Sequence, residues 1–444
     1  MRAVETIKNI WKIEDLRNRI LTTLLLVAIY RFGTYVVLPG IDPKALTALQ
    51  EQTRGGLLAL LDMFSGGAFS NASIFALGIM PYISASIVMQ LMAIAVPSFQ
   101  KLQREGESGR RKINQWTRYL TVAILLFQGP TYLVNLSVQL KAAGAALPAG
   151  IWFTISSTVI LAAGSMFILW LGERITDKGV GNGISVVLLY NIISRLPDDA
   201  ITIYETFMSG RSIAVQILIA VFVIAILLAI LGFTVLLNAA ERRIPVQYAQ
   251  KVQGRRSVGG RSTYIPVKVN TANVMPVIFA SSLMSMPQII GSFFGYQIDV
   301  TTIGGKIMAM LSSNYWFRPS LPFYSIGVVV YVALLIVFAY FYTSISFNPL
   351  EIADNMKKSG GFIPGVRPGK PTSDFLNNML NHLIIIGAVG LTIIALLPII
   401  LSGIFNITRL SFMGTSLIII VNVVLETAKS IESKMVAREY ESIF

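Results

Sequence analysis

Long apolar runs separated by short polar stretches dominate the chain, and their lengths predict membrane helices. Ten such runs fall at 20–38, 74–97, 115–136, 151–170, 182–196, 212–237, 272–291, 322–346, 381–402 and 408–427. A helix rises about 1.5 Å per residue, so roughly 20 residues cross the hydrocarbon core. One stretch does not fit a simple span. "LLALLDMFSGGAFS", beginning at Leu57, is apolar yet broken by Ser65-Gly66-Gly67, and the piece before the break is too short to cross. The pattern there predicts a short half-helix, a glycine hinge and then a full-length helix. Ten spans divide into five plus five, the first half ending near 196 and the second starting near 212. An odd-numbered half followed by another inserts the second upside down, the arrangement of inverted repeats. No residue-level similarity between the halves accompanies it. The resulting division is an interfacial helix at 1–19, an N-terminal half at 20–196, an external connection at 197–211, a C-terminal half at 212–427 and a tail at 428–444.

Composition supports the membrane reading. Of 444 residues, 54% are hydrophobic and 13% charged, against about 25% charged in ordinary soluble domains. The net charge of +14 would suit a nucleic-acid partner, but its distribution argues for orientation instead. The N-terminal segment, every second connection and the C-terminal tail hold 26 of the 36 Lys and Arg. That asymmetry places both termini in the cytoplasm. The first 19 residues carry Glu5, Glu14 and Asp15, and "WKIEDLRNR" reads as a helix lying at the interface rather than a cleavable signal peptide.

Reactive chemistry is sparse. Cysteine is absent and His382 is the single histidine, so disulfides, thiolate sites and multi-histidine metal sites are excluded. No G-x-S-x-G elbow exists to supply a nucleophile. "GVGNGIS" (179–185) has no Gly-Lys-Ser/Thr after it and reads as tight helix packing with a sharp return into the membrane. The pattern calls for no catalytic residue, no metal and no cofactor. Ionisable residues in the apolar segments are few: Arg31, Asp62 in the half-helix, Glu426 at a span end, and Arg118, Arg195 and Arg409 inside spans or near their ends. Proton- or ion-coupled pumps need such groups. A secondary transporter of a small solute is therefore weakened and stands as the rival reading; a structural scaffold or insertase without a pore is a third.

Two connections exceed what orientation requires. Residues 238–270 contain "RRIPVQYAQKVQGRR" and then "TYIPVKV", an extended, hairpin-like projection. Residues 347–378 carry a short amphipathic piece and Gly/Pro-rich turns around Arg367. Loops longer than about 15 residues are usually functional. The arginines suit ribosomal RNA or an acidic protein face.

Five segments carry a family resemblance: "SIFALGIMPYISASIVMQLM" (73–92), "LWLGERITDKGVGNGIS" (169–185), "RRIPVQYAQKVQGRR" (242–256), "VKVNTANVMPVIFASS" (267–282) and "FIPGVRPGKPT" (362–372). They resemble signature segments of the SecY family, in order and from the N-terminal interfacial helix to the tail. The resemblance implies an all-α integral membrane protein with ten transmembrane helices in two pseudo-symmetric inverted halves and a short plug half-helix. It implies a protein-conducting channel of the Sec translocon, not an enzyme, which passes unfolded preproteins across the bacterial cytoplasmic membrane and releases transmembrane segments sideways into lipid. The plug falls at about 57–69, with Phe64 near its tip and Ser65, Gly66 and Gly67 at its hinge. The apolar pore ring falls on Ile79, Ile83, Ile184, Leu188, Ile278 and Ile419; without the motifs these would read as ordinary core or lipid-facing residues. A polar latch at the lateral gate falls on Ser84, Gln128, Ser281 and Ser282, which ordinary helix packing explains equally well. Docking of a motor or ribosome falls on Arg242, Arg243, Arg255, Arg256 and Arg367. The implied partners are the membrane subunits SecE and SecG, the ATPase SecA, the ribosome, preprotein signal sequences and membrane lipids.

Overall fold

The computed structural model of the chain describes residues 11, 13–42, 62, 64–142, 148, 150–209, 212–248, 251–253, 256–258, 262–293, 302–318, 322–405 and 413–441. Helices dominate. In order they are α1 (Glu14–Gly33), α2 (Met80–Ala95), α3 (Pro97–Arg104), α4 (Glu107–Ala142), α5 (Ile151–Lys178), α6 (Gly183–Phe207) and α7 (Ile213–Ala239). Strands β1 (Glu241–Tyr248), β2 (Lys251–Gln253), β3 (Arg256–Val258) and β4 (Ser262–Lys268) follow. Then come α8 (Met275–Phe293), α9 (Ile303–Leu311), α10 (Ile326–Ser346), α11 (Pro349–Lys358), β5 (Gly361–Phe362), α12 (Lys370–Phe405) and α13 (Met413–Glu441).

Among the described residues, α4, α5, α7, α10 and α12 are long and apolar enough to cross a membrane, and α2, α6 and α8 contribute shorter apolar stretches. Helix α7 carries Leu218, Val221 and Phe222 outward at 70%, 62% and 59% exposure. In water so much apolar area would be costly; in lipid it is not.

Several helix ends differ from the apolar runs. The second run begins at 74, but helix starts only at Met80. The residues before it turn, with Ala72 at φ 45° and Gly78 at φ 57°, and Ser73 bridges back to Val37. Pro81 sits in the first turn of α2, where its missing N–H costs nothing. Helices α4 and α12 begin well before their apolar runs, at Glu107 and Lys370. The stretch at 197–211 is largely helix, because α6 continues through Pro197 to Phe207.

Two compact units result. The first comprises Met1–Ile219, Pro287–Gly305 and Val423–Phe444, and the second Ala220–Met286 and Lys306–Asn422. The break between them lies inside α7 rather than in the connection before it. In the first unit Leu38, Phe69, Ala72, Tyr132, Leu136 and Leu161 form a buried core. In the second, Val277, Trp316, Leu335, Leu391, Ile394 and Ile418 do the same.

The second unit also holds a sheet of order β4-β1-β5. β1 pairs antiparallel with β4 from Glu241↔Lys268 to Gln247↔Ser262, the hairpin the alternation predicts. β5 adds Phe362 opposite Gln247 and Gly361 opposite Tyr248. The two long loops are therefore one body. Ile244, Val246 and Val267 from the hairpin bury against Met356, Ile363, Leu376 and Leu380 from the second loop and α12. At the neck of the hairpin, Val269 N–H donates to Ala240 O at 2.9 Å, and buried Asn270 Nδ2 donates to Asn238 Oδ1 at 2.6 Å.

Candidate functional site

Four groups of residues carry the candidate chemistry, and the segment from Asp62 to Gly78 comes first. Residues 57–61 and 63 of the expected plug lie outside the described residues; Asp62 and Phe64 onward are within them. Three successive carbonyls of this segment each receive a side-chain donor. Asn191 Nδ2 of α6 donates to Phe64 O at 2.6 Å, Tyr30 Oη of α1 to Ser65 O at 3.2 Å, and Arg31 of α1 to Gly66 O at 2.9 Å. Tyr132 of α4 then donates to Phe69 O at 3.0 Å. Backbone in irregular conformation at membrane depth must find such partners, because lipid offers none.

The side chain of Asp62 completes the arrangement. Its carboxylate pairs with the Arg195 guanidinium of α6, and Asp62 Oδ1 accepts from Ser70 N at 2.8 Å. The side chains of Asp62 and Arg195 are 6% and 18% exposed. Gly66 and Gly67 have φ of 64° and 90°, the left-handed region that glycine occupies without strain. A Cβ on Gly66 would lie 2.6 Å from Asn191 Oδ1, so close approach is a second reason for glycine there. Both glycines are held rather than free. Sequence reading singled out Asp62 and Arg31 as rare ionisable residues and noted Arg195 near a span end, but did not pair it with Asp62 and missed Asn191, Tyr30 and Tyr132. The scarcity of charge around Asp62 was the available signal that a partner must exist.

The ring candidates sit at helix beginnings or inside cores. In the first unit, Ile79 precedes α2 and Ile83 follows one turn on, its N–H donating to Ile79 O at 3.1 Å; both are buried. Ile184 and Leu188 occupy the first turns of α6. That helix starts where it does because Asn182 Oδ1 accepts from Ile184 N at 3.1 Å and Ser185 N at 3.4 Å, a side-chain N-cap. The glycine-rich turn before it is tied down: Val180 N–H donates to Thr23 Oγ1 at 3.1 Å and Gly183 N–H to Thr176 Oγ1 at 2.9 Å. This is the tight packing that the glycine spacing suggests, not a phosphate cradle. In the second unit, Ile278 in α8 and Ile419 in α13 are buried at 7% and 2% exposure.

Of the latch candidates, Ser84 in α2, Gln128 in α4, and Ser281 and Ser282 in α8 are all half-buried. Ser281 faces the Tyr331 hydroxyl of α10 within the second unit. At the other end of the first unit, Arg118 of α4 and Glu173 of α5 form an ion pair at 2.5 Å, linking two of its longest helices.

Two of the basic candidates lie on the three-stranded sheet and one in the loop after its third strand. Arg242 and Arg243 on β1 are exposed. Arg243 donates to Glu241 Oε1 at 2.8 Å and lies over the Tyr264 ring at 4.9 Å. Donating to the Glu241 carboxylate raises its already high pKa, so it is a permanent cation. Arg367 is exposed in a loop turned by Gly365 and Gly369 at φ of 84° and 102°, and its carbonyl accepts from Thr372 Oγ1 at 2.8 Å. Arg255 and the side chain of Arg256 lie outside the described residues. The sheet thus joins the two loops that carry these arginines, through the pairing of β1 with β5. Strand β5 escaped notice because two residues carry no alternation to detect.

Comparison with known proteins bears on the chain as a whole. A family model described as SecY matches residues 73–428. The protein translocase subunit SecY of Streptomyces scabiei is 43% identical over 441 residues, covering 97% of each chain. That of Escherichia coli K12 is 39% identical over 429 residues, covering 96% of this chain and 94% of its own. Among solved structures, one described as a protein conducting channel superposes with TM-score 0.59 at 16% identity, covering 95% of this chain and 93% of its own. Another, a study of how the SecY plug domain stabilises the closed channel, gives 0.60 at 17% identity with the same coverage. Canine Sec61 in a ribosome-channel complex gives 0.56 at 16% identity, again covering 95% and 93%. These solved structures share the fold; by sequence over nearly its whole length, the chain belongs to the SecY family.

Proposed function

We propose that the protein is the protein-conducting channel of a bacterial Sec translocon, moving unfolded preproteins across the cytoplasmic membrane and releasing transmembrane segments into lipid. The observation that carries this is 43% identity, across 97% of both chains, to a protein translocase subunit. It is a channel subunit and not itself an enzyme. The physical chemistry fits the role. Ile79, Ile83, Ile184, Leu188, Ile278 and Ile419 are apolar side chains that repel water yet offer a passing polypeptide no specific bond. Sequence-indifferent passage requires such a surface. The solute-transporter reading loses its best ion site, since Asp62 is already engaged by Arg195 and Ser70.

The finer assignments follow from the resemblance. Residues 57–69 act as the plug, Ser84, Gln128, Ser281 and Ser282 serve the lateral gate, and the arginine-bearing sheet docks SecA or the ribosome. Canine Sec61 is found in complex with a ribosome. SecE and SecG complete the membrane complex, and both termini face the cytoplasm, as the arginine and lysine distribution requires.

Crosslinking tests the reading directly. A stalled secretory chain should give adducts with a photoreactive residue placed at any of the six ring positions. Outward positions on α7 such as Leu218 and Phe222 should give none. Equal labelling at both sets of positions would remove the channel assignment.

A further inference from the structure

We propose that Asp62 and Arg195 are positioning residues for closure: their ion pair holds the plug segment in its seat and sets how strong a signal sequence must be to open the channel. The proposal rests on the plug reading above. Four contacts grip this segment through its backbone, at the carbonyls of Phe64, Ser65, Gly66 and Phe69. Only Asp62 is gripped through a charged side chain, and its carboxylate spans the turn by taking the Arg195 guanidinium on one side and Ser70 N–H on the other. With side chains 6% and 18% exposed, both charges have left bulk solvent. Withdrawing the segment separates them where little water is available to replace the partner. A buried pair is costly to break from one side, because the remaining charge is left uncompensated. The hydrogen bonds from Asn191, Tyr30 and Tyr132 join neutral groups, which are weaker and re-form more easily, and Arg31 brings its charge to a neutral carbonyl. The pair is the contact that joins two opposite charges, and so the one most sensitive to substitution.

The test uses the full channel with its membrane partners in planar bilayers, without substrate, and in parallel the export of a precursor with a defective signal sequence. Asp62→Asn takes the opposite charge away from Arg195, and Arg195→Gln takes it away from Asp62. Each should raise the frequency of ion-conducting events about tenfold or more, with export of the defective precursor rising alongside. The double variant leaves no unpaired charge and can form a neutral hydrogen bond, so it should leak less than either single one. Arg195→Lys keeps the charge and should stay nearly tight. Should Arg195→Gln fail to accumulate in the membrane, Asp62→Asn carries the same comparison against Arg195→Lys. Tight single variants at normal membrane levels overturn the proposal, as does a double variant whose leak is the sum of the two. Deletion of 57–67 separates the two levels of inference. A leaky deletion with tight point variants sinks the clasp alone, whereas a tight deletion sinks the plug reading and the clasp with it.

Discussion

Truncating Ile363 to alanine should loosen strand β1, although the two belong to loops separated by three helices in the sequence. Ile363 is 3% exposed and shares its apolar cluster with Ile244 and Val246. The substitution removes three buried carbons at roughly 0.8 kcal/mol each, about 2.4 kcal/mol before any cavity term. The loss falls on local opening of the sheet rather than on the whole helical bundle, whose cores lie elsewhere. At one decade per 1.4 kcal/mol, amides of β1 held by the ladder should exchange with solvent about fiftyfold faster. Gln247 and Tyr248, which face β5, should respond most. Hydrogen exchange read by mass spectrometry on peptides covering 241–248 measures this directly. Val246→Ala supplies the second corner of a cycle, and residues sharing one cluster should couple by about 0.5 kcal/mol or more. Unchanged protection of β1 in Ile363→Ala would refute the reasoning: the two loops would then be independent projections, as sequence alone suggested.

Three further outcomes follow from the same geometry. Arg367→Glu should cripple preprotein export while the channel still accumulates in the membrane, and lysine should restore only part, lacking the planar donor fork; normal secretion by the glutamate variant removes the docking role. Ile419→Asn places an amide at a buried position expected to line the constriction, and should lower the wetting penalty and raise ion conductance in bilayers; a channel as tight as the parent argues against a ring at that position. Asn182→Ala removes the cap that starts α6 and should cost about 1 kcal/mol, seen as a lower melting temperature in detergent, while Asn182→Asp should melt close to the parent.

Hydropathy made the helices legible because lipid imposes one requirement, apolarity over a fixed length, and the sequence shows it directly. It did not reveal where helices end. The first turns of α4 and α12, from Glu107 and Lys370, carry charges that belong outside lipid yet stay helical, so the apolar run understates the element. The stretch at 74–79 errs the other way. It is apolar enough to be helix, but Gly78 and the grip of side chains on 64–69 hold it in turns. The hairpin was visible in the alternation of Ile244, Val246 and their partners, and its third strand was not. The plug clasp was least legible of all. Its carbonyl donors Tyr30, Asn191 and Tyr132 sit on three different helices, and they recognise a group that every residue possesses. No periodicity announces that kind of contact.

The three-stranded sheet also has a mechanical meaning. Strand β1 leaves α7 with one residue between them, β4 leads through the Asn238–Asn270 bond toward α8, and β5 is followed closely by α12. A load applied anywhere on the sheet is therefore shared among three helix ends rather than bending one loop. Antiparallel ladders resist shear along their strands because several hydrogen bonds must fail together. A push on the exposed Arg367 loop arrives at the adjoining ends of α7 and α12 as a stiff lever arm. A flexible tether of the same length would absorb that stroke.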